Sequence, residues 1–160
     1  MVPFRRDNAP VLMARVRQLR ARRAVDRLDE LRALVLLAKQ LPQAAIAKAL
    51  AVSQPAVSKR VREAAAMPAV RPGFSGASAY EIAQRYAAGL LSRERTLEEL
   101  SRWSYVPADQ GDGVDWLSYR PGELEVQVGK ALDHGLIDEP MYDEVVRAQA
   151  QQLDGVTHDK

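Results

Sequence analysis

The stretch QAAIAKALAVSQPAVSKRVREA, Gln43 to Ala64, constrains this chain more than any other. It reads as two short helices joined by a tight turn. Pro42 fits the first turn of the first helix, where a missing N–H costs nothing, and that helix runs to about Leu50. The second runs from about Gln54 to Ala66, with Ser53 as N-cap and Pro55 in its first turn. Two helices crossing steeply need a small residue at the crossing, and Ala47 is there. The turn then needs a residue in the left-handed region, an aliphatic plug and a cap. Ala51, Val52 and Ser53 follow in that order, although glycine is the easier residue at the first position. Ile46 and Leu50 on the first helix and Val57 and Val61 on the second are spaced to face inward. Gln54, Pro55, Ser58, Lys59 and Arg62 are left for the outer face or the start of the second helix.

The rest of the chain also has helical periodicity. Leu12, Val16 and Leu19, then Val25, Leu28, Leu31 and Val35, recur at three- and four-residue steps with one wider gap. With Asp26 as a possible cap, this predicts helices over 11–24 and 27–40, or one long bent helix, after an N-terminal arm over residues 1–10. The segment AMPAVRPGFSGAS breaks the periodicity and predicts a linker at 68–78. Beyond it, helices are expected over 80–88, 93–103, from Pro121 or Gly122 to Asp133, and 139–152, with Gly89 and Gly135 as stops and Ser92 and Asp138 as caps. Residues 79–102 and 125–148 align at an offset of 46 as two αα-hairpins. The fold class is therefore all-α: a trihelical helix-turn-helix domain over 1–67 with its arm, the linker, a module of two αα-hairpins over 79–153, and a frayed tail at 154–160.

Charge divides the chain at the linker. Residues 1–66 carry 14 Lys+Arg against 5 Asp+Glu, net +9, and residues 67–160 carry 9 against 16, net −7. A basic half suits nucleic acid, and an acidic half has a different task. Arg15, Arg17, Arg20, Arg22, Arg23 and Arg27 crowd the first helix, and such a stripe can face phosphates. The chain has no cysteine, which excludes disulfides, thiolate metal sites and cysteine nucleophiles. No run of about 18 apolar residues suggests a membrane span, and the N-terminus lacks a signal-length apolar core. A cytoplasmic, nucleoid-associated protein is the expectation.

The segment ALAVSQPAVSKRV resembles the helix-turn-helix of bacterial LysR-type regulators, whose recognition helix often begins Val-Ser-Gln-Pro-Ala. It is also similar to segments of MarR-like and sigma-factor-like trihelical domains. The resemblance covers Gln43–Ala64 and the helix before it, and no LysR-type effector domain follows. It implies that Gln54, Ser58 and Lys59 face base edges in the major groove of double-stranded DNA, with Gln54 suited to adenine. Pro55 and Ala56 would meet a thymine methyl or sugar. Gln43, Ser53, Arg60 and Arg62 would hold phosphates, joined by Arg20, Arg22 and Arg23 of the arginine stripe. A sequence-specific transcriptional regulator, a repressor acting as a homodimer, is the function expected.

The acidic half shows no catalytic pattern: no phosphate loop, nucleophile elbow or metalloprotease signature occurs. No catalytic residue, cofactor or metal is expected. His134 falls at a helix end and His158 in the tail, and Asp109, Asp112 and Asp115 lack a bidentate Glu at the spacing of a calcium loop. Trp103, Tyr105, Trp116 and Tyr119 cluster around one loop, as core or as a partner-binding patch. Two other functions fit the same layout: an antitoxin whose acidic half neutralises a toxin, and a helical adaptor that does not bind DNA.

Overall fold

The computed structural model describes residues 8–106 and 122–157. The expectations resting on the arm before Asn8, on Asp109, Asp112, Asp115, Trp116 and Tyr119, and on His158 lie outside these residues. All regular structure within them is helical, apart from a single parallel bridge between Val106 and Glu123. The helices are α1 (Ala9–Ala38), α2 (Gln43–Leu50), α3 (Gln54–Ala65), α4 (Ala79–Ala87), α5 (Arg93–Arg102), α6 (Lys130–Asp133) and α7 (Glu139–Thr157). A π-helical segment, Glu125–Gly129, runs directly into α6. The chain divides into two compact units, Arg23–Ala69 and Met1–Arg22 with Val70–Lys160, so α1 contributes to both.

α1 is one continuous helix of 30 residues, not two. Asp26 is not a cap but an exposed residue inside the helix, next to the fully buried Val25. An aspartate inside a helix costs less than about 1 kcal/mol relative to alanine, while burying a valine gains about 1.5–3 kcal/mol, so packing wins over the local signal. Leu12, Val16 and Leu19 lie on this helix, as their spacing predicts, and are 46%, 49% and 46% exposed.

In the unit Arg23–Ala69, Leu34, Ile46, Ala47 and Val57 form the core, with Leu37, Ala38, Val52 and Val61 packed against it. Pro42 is the N-cap of α2 with extended backbone, just outside the first turn. Leu50 does not join the core and is 47% exposed, while Val52 beyond the turn packs there instead.

In the other unit, α4 packs against the π segment and α6, and α5 packs along α7. Ile82, Leu100, Val128, Met141 and Val145 are its larger fully buried apolar residues, with Trp103 and Ile137 beside them in the core. The 46-residue offset appears in the hydrogen bonds of two helix-ending turns. Leu90 N–H donates to Arg85 O and Leu136 N–H to Ala131 O, both at 2.9 Å. Gly89 N–H donates to Tyr86 O and Gly135 N–H to Leu132 O, again both at 2.9 Å. Both glycines are left-handed, at φ 79° and 68°. The caps repeat as well: Ser92 Oγ accepts from Arg95 N–H at 3.1 Å, and Asp138 Oδ1 from Met141 N–H at 2.9 Å.

The segment expected to be a free linker at 68–78 belongs to this unit from Val70 onward. Two buried carboxylates hold it. Glu99 accepts from Ser75 N–H at 2.7 Å and Ser75 Oγ–H at 2.8 Å, and Glu81 accepts from Ala77 N–H at 2.9 Å. Arg71 lies over the rings of Phe74 and Trp103, and Arg102 covers the Phe74 ring at 4.1 Å. α7 continues helically to Thr157, past the expected end at Gln152 and into the expected frayed tail.

Candidate nucleic-acid interface

The α2–turn–α3 segment is built from backbone geometry first. Ala51 sits at φ 54°, ψ 40°, the left-handed position the turn requires. Val52 N–H reaches back to Ala47 O at 3.0 Å and Ala51 N–H to Lys48 O at 3.3 Å, satisfying carbonyls that the end of α2 leaves open. Ser53 caps α3, its Oγ accepting from Ala56 N–H at 3.3 Å. The first turn of α3 carries no acidic residue, so the positive end of its dipole faces outward uncompensated.

Helical phase then sorts the α3 side chains. Val57 is buried, and at about 3.6 residues per turn Pro55, Lys59 and Arg62 form a ridge on the opposite side. All three are exposed, as is Gln54 at the helix start, while Ala56 and Ser58 are half-buried on the shoulders. Gln43 is half-buried in the first turn of α2. Arg60 is not part of the ridge. It is half-buried, and its guanidinium pairs with Glu30 of α1 at 3.3 Å. One turn on, Glu63 accepts from Arg27 of α1 at 2.7 Å. These two pairs run in opposite senses, basic to acidic and acidic to basic, and set the register of α3 on α1. Both are largely exposed, worth about 0–1 kcal/mol each, so they orient more than they stabilise. With Arg60 and Glu63 paired, the outward charge of α3 is Lys59 and Arg62.

The arginine stripe divides at the unit boundary. Arg23 is in the same compact unit as α3, and Arg20 and Arg22 are in the other. The Arg27–Glu63 and Arg60–Glu30 braces are not legible in the sequence. Opposite charges on two helices carry no register by themselves.

The proposed aromatic patch is not intact. Trp103 is buried in the core, 4.8 Å centroid to centroid from Phe74, which removes it as a partner contact. Tyr105 is half-buried and its hydroxyl donates to Leu100 O at 2.8 Å. Burial pushes its phenol pKa up. His134 is exposed just after α6, with its Nδ1 2.7 Å from the Tyr80 hydroxyl. Among the described residues no group of three or more His, Cys, Asp or Glu side chains could hold a metal ion, and no helix is long and apolar enough to cross a membrane.

Comparison with protein families, curated proteins and solved structures found no match.

Proposed function

We propose that this chain is a sequence-specific DNA-binding transcriptional regulator whose α2–turn–α3 segment acts as a helix-turn-helix, with α3 in the major groove. The reading includes a trihelical DNA-binding domain and an acidic module of two stacked αα-hairpins. The observation that carries it is the α3 ridge: Pro55, Lys59 and Arg62 with Gln54 at its head, exposed on the side away from the core and stiffened by two ion pairs to α1. Gln54 pairs with a base edge and Lys59 with a base edge or phosphate, while Arg62 and Gln43 take phosphates. Ser53 is committed to its cap, and its contribution is to keep the end of α3 open to phosphate. Arg60 braces α1 and takes no phosphate while that pair holds. A homodimer occupies two half-sites and blocks a promoter sterically.

The test is selection of bound sequences from random duplexes, followed by fluorescence anisotropy on the selected site at several salt concentrations. Binding should weaken steeply with salt, and Gln54→Ala should relax preference at one base position. Loss of affinity for all sequences alike with Gln54→Ala would remove base reading by that residue. Absence of any salt-dependent duplex binding would leave the adaptor reading.

A further inference from the structure

Among the described residues of the unit Met1–Arg22 with Val70–Lys160, two apolar surfaces are exposed. The first is on α1. Leu12, Val16 and Leu19 form one stripe, and Ala21, which is buried, falls on the opposite side of the helix from Leu12. The stripe therefore faces away from the unit its own helix packs into. Arg15 and Arg22 border it on one side and Arg20 on the other, and no acidic residue occurs between Ala9 and Val25. The second surface is a groove of about 400 Å³ beside α7. Val106, Leu124, Val146 and Leu153 supply its apolar lining, with Glu123 and Glu125 among its walls. Val106, Val146 and Leu153 are among the large hydrophobics left exposed, Leu153 at 68%. Asp143 and Asp154 border one side of the lining face of α7. The π segment turns Glu125 toward α7, where Tyr142 O–H donates to its carboxylate at 2.7 Å. That bond pushes the Tyr142 pKa up to about 12, so the phenol stays a neutral donor.

The two surfaces match in length and charge. Leu12 and Leu19 are seven residues apart, as are Val146 and Leu153, so each presents about two helical turns. One is apolar between arginines and the other apolar between carboxylates. We propose that α1 of a second copy of this chain lays its Leu12–Val16–Leu19 stripe in the α7 groove, and that the contact is made twice, reciprocally, in a twofold dimer. Pairing of α1 with α1 is disfavoured because Arg15, Arg20 and Arg22 would meet their own counterparts. Reciprocal exchange instead sets each arginine shoulder beside the other copy's Glu123, Glu125 and Asp154, and each contact closes the other. The inference does not depend on DNA binding: the dimer and the α3 ridge stand or fall in separate assays.

The experiment is sedimentation analysis of the full chain over micromolar concentrations. It compares wild type with Val16→Asp in the stripe, Leu153→Arg in the groove, and a 1:1 mixture of the two variants. Both substitutions are at exposed positions, and circular dichroism should show unchanged helicity. Wild type should be dimeric, and each variant should dissociate with a Kd raised about tenfold or more, roughly 1.4 kcal/mol. The mixture should associate more tightly than either variant alone, because a mixed dimer retains one intact contact. A stripe variant that dissociates without rescue in the mixture would show α1–α1 pairing and overturn the proposal. A wild-type monomer at about 100 µM would overturn it too, as would a monomer that binds phosphatidylserine vesicles through the stripe, which would make α1 a lipid-surface helix.

Discussion

Replacing Ala51 by glycine should stabilise the unit Arg23–Ala69, and replacing Gly135 by alanine should destabilise the other unit by a similar amount. Both residues end a helix in the left-handed region, Ala51 at φ 54° and Gly135 at φ 68°, with the same back-reaching hydrogen bonds. For an L-residue that conformation costs about 1–2 kcal/mol. Glycine avoids the cost but adds unfolded-chain entropy worth about 0.4–1 kcal/mol. The difference leaves a gain of roughly 0.5–1 kcal/mol for Ala51→Gly. Gly135→Ala runs the same cycle backward, and a Cβ added there meets nothing within 4 Å, so no steric term enters. Gly89→Ala should cost somewhat more, because its Cβ would come within 2.8 Å of the Gln18 side-chain amide and that flexible group would have to move. Native-state hydrogen exchange reads each turn separately. The Val52 amide should exchange about two- to fivefold more slowly in Ala51→Gly, and the Leu136 amide faster by a similar factor in Gly135→Ala. If Gly135→Ala costs stability while Ala51→Gly changes nothing or destabilises, Ala51 is not left-handed and the turn between α2 and α3 has been misread.

Three further outcomes follow from particular contacts. Arg62→Ala should lower the salt slope of DNA affinity by about 1, whereas Arg60→Ala should leave the slope nearly unchanged, because Glu30 already holds Arg60; equal effects in salt titrations would refute the distinction. Glu99→Ala should cost about 2–3 kcal/mol in urea unfolding followed by Trp103 fluorescence, since it strips a buried acceptor from the Ser75 amide and hydroxyl; a cost below about 0.5 kcal/mol would mean the segment from Val70 is not anchored there. Asp138 has its pKa lowered, first by the Met141 N–H and then by Arg93. Its stabilising effect is therefore full above the ordinary carboxylate range near pH 4 and is lost as pH falls through the lowered native value. Asp138→Asn should melt below wild type at pH 7 and converge with it in acid, and a constant gap across pH would refute the assignment.

Features governed by neighbouring residues in the chain were legible in the sequence. Ser53, Ser92 and Asp138 all cap as read, because an acceptor three residues ahead of a free N–H is local chemistry. The small residue at position 47 and the plug at Val52 follow from the same short-range geometry. The apolar stripe of α1 was visible, but periodicity says only that one face is apolar, not that its own chain covers it. Leu50 failed in the same way, being periodic yet exposed. Glu99 was invisible as core, since a carboxylate is normally solvated and the Ser75 donors that let it be buried come from 24 residues away. The π segment left no mark in the pattern either. At the candidate interface, the exposed residues of α3 were legible and the ion-paired role of Arg60 was not, because the pair joins helices 30 residues apart.

The division of α1 between two units has a consequence for the order of events during synthesis. Its second half can pack as soon as Ala69 has been made, since its core partners Ile46, Ala47 and Val57 follow closely in sequence. Its first half is translated earlier, yet the turn at Gly89 that meets Gln18 comes 71 residues after that glutamine. The leading turns of α1, with Leu12, Val16 and Leu19, are thus the first part of the helix to be made and the last to find their unit. On a ribosome adding about 5–20 residues per second, that wait lasts seconds. Five arginines within nine residues, Arg15 to Arg23, keep this apolar segment charged and mutually repelling among nascent chains through that interval.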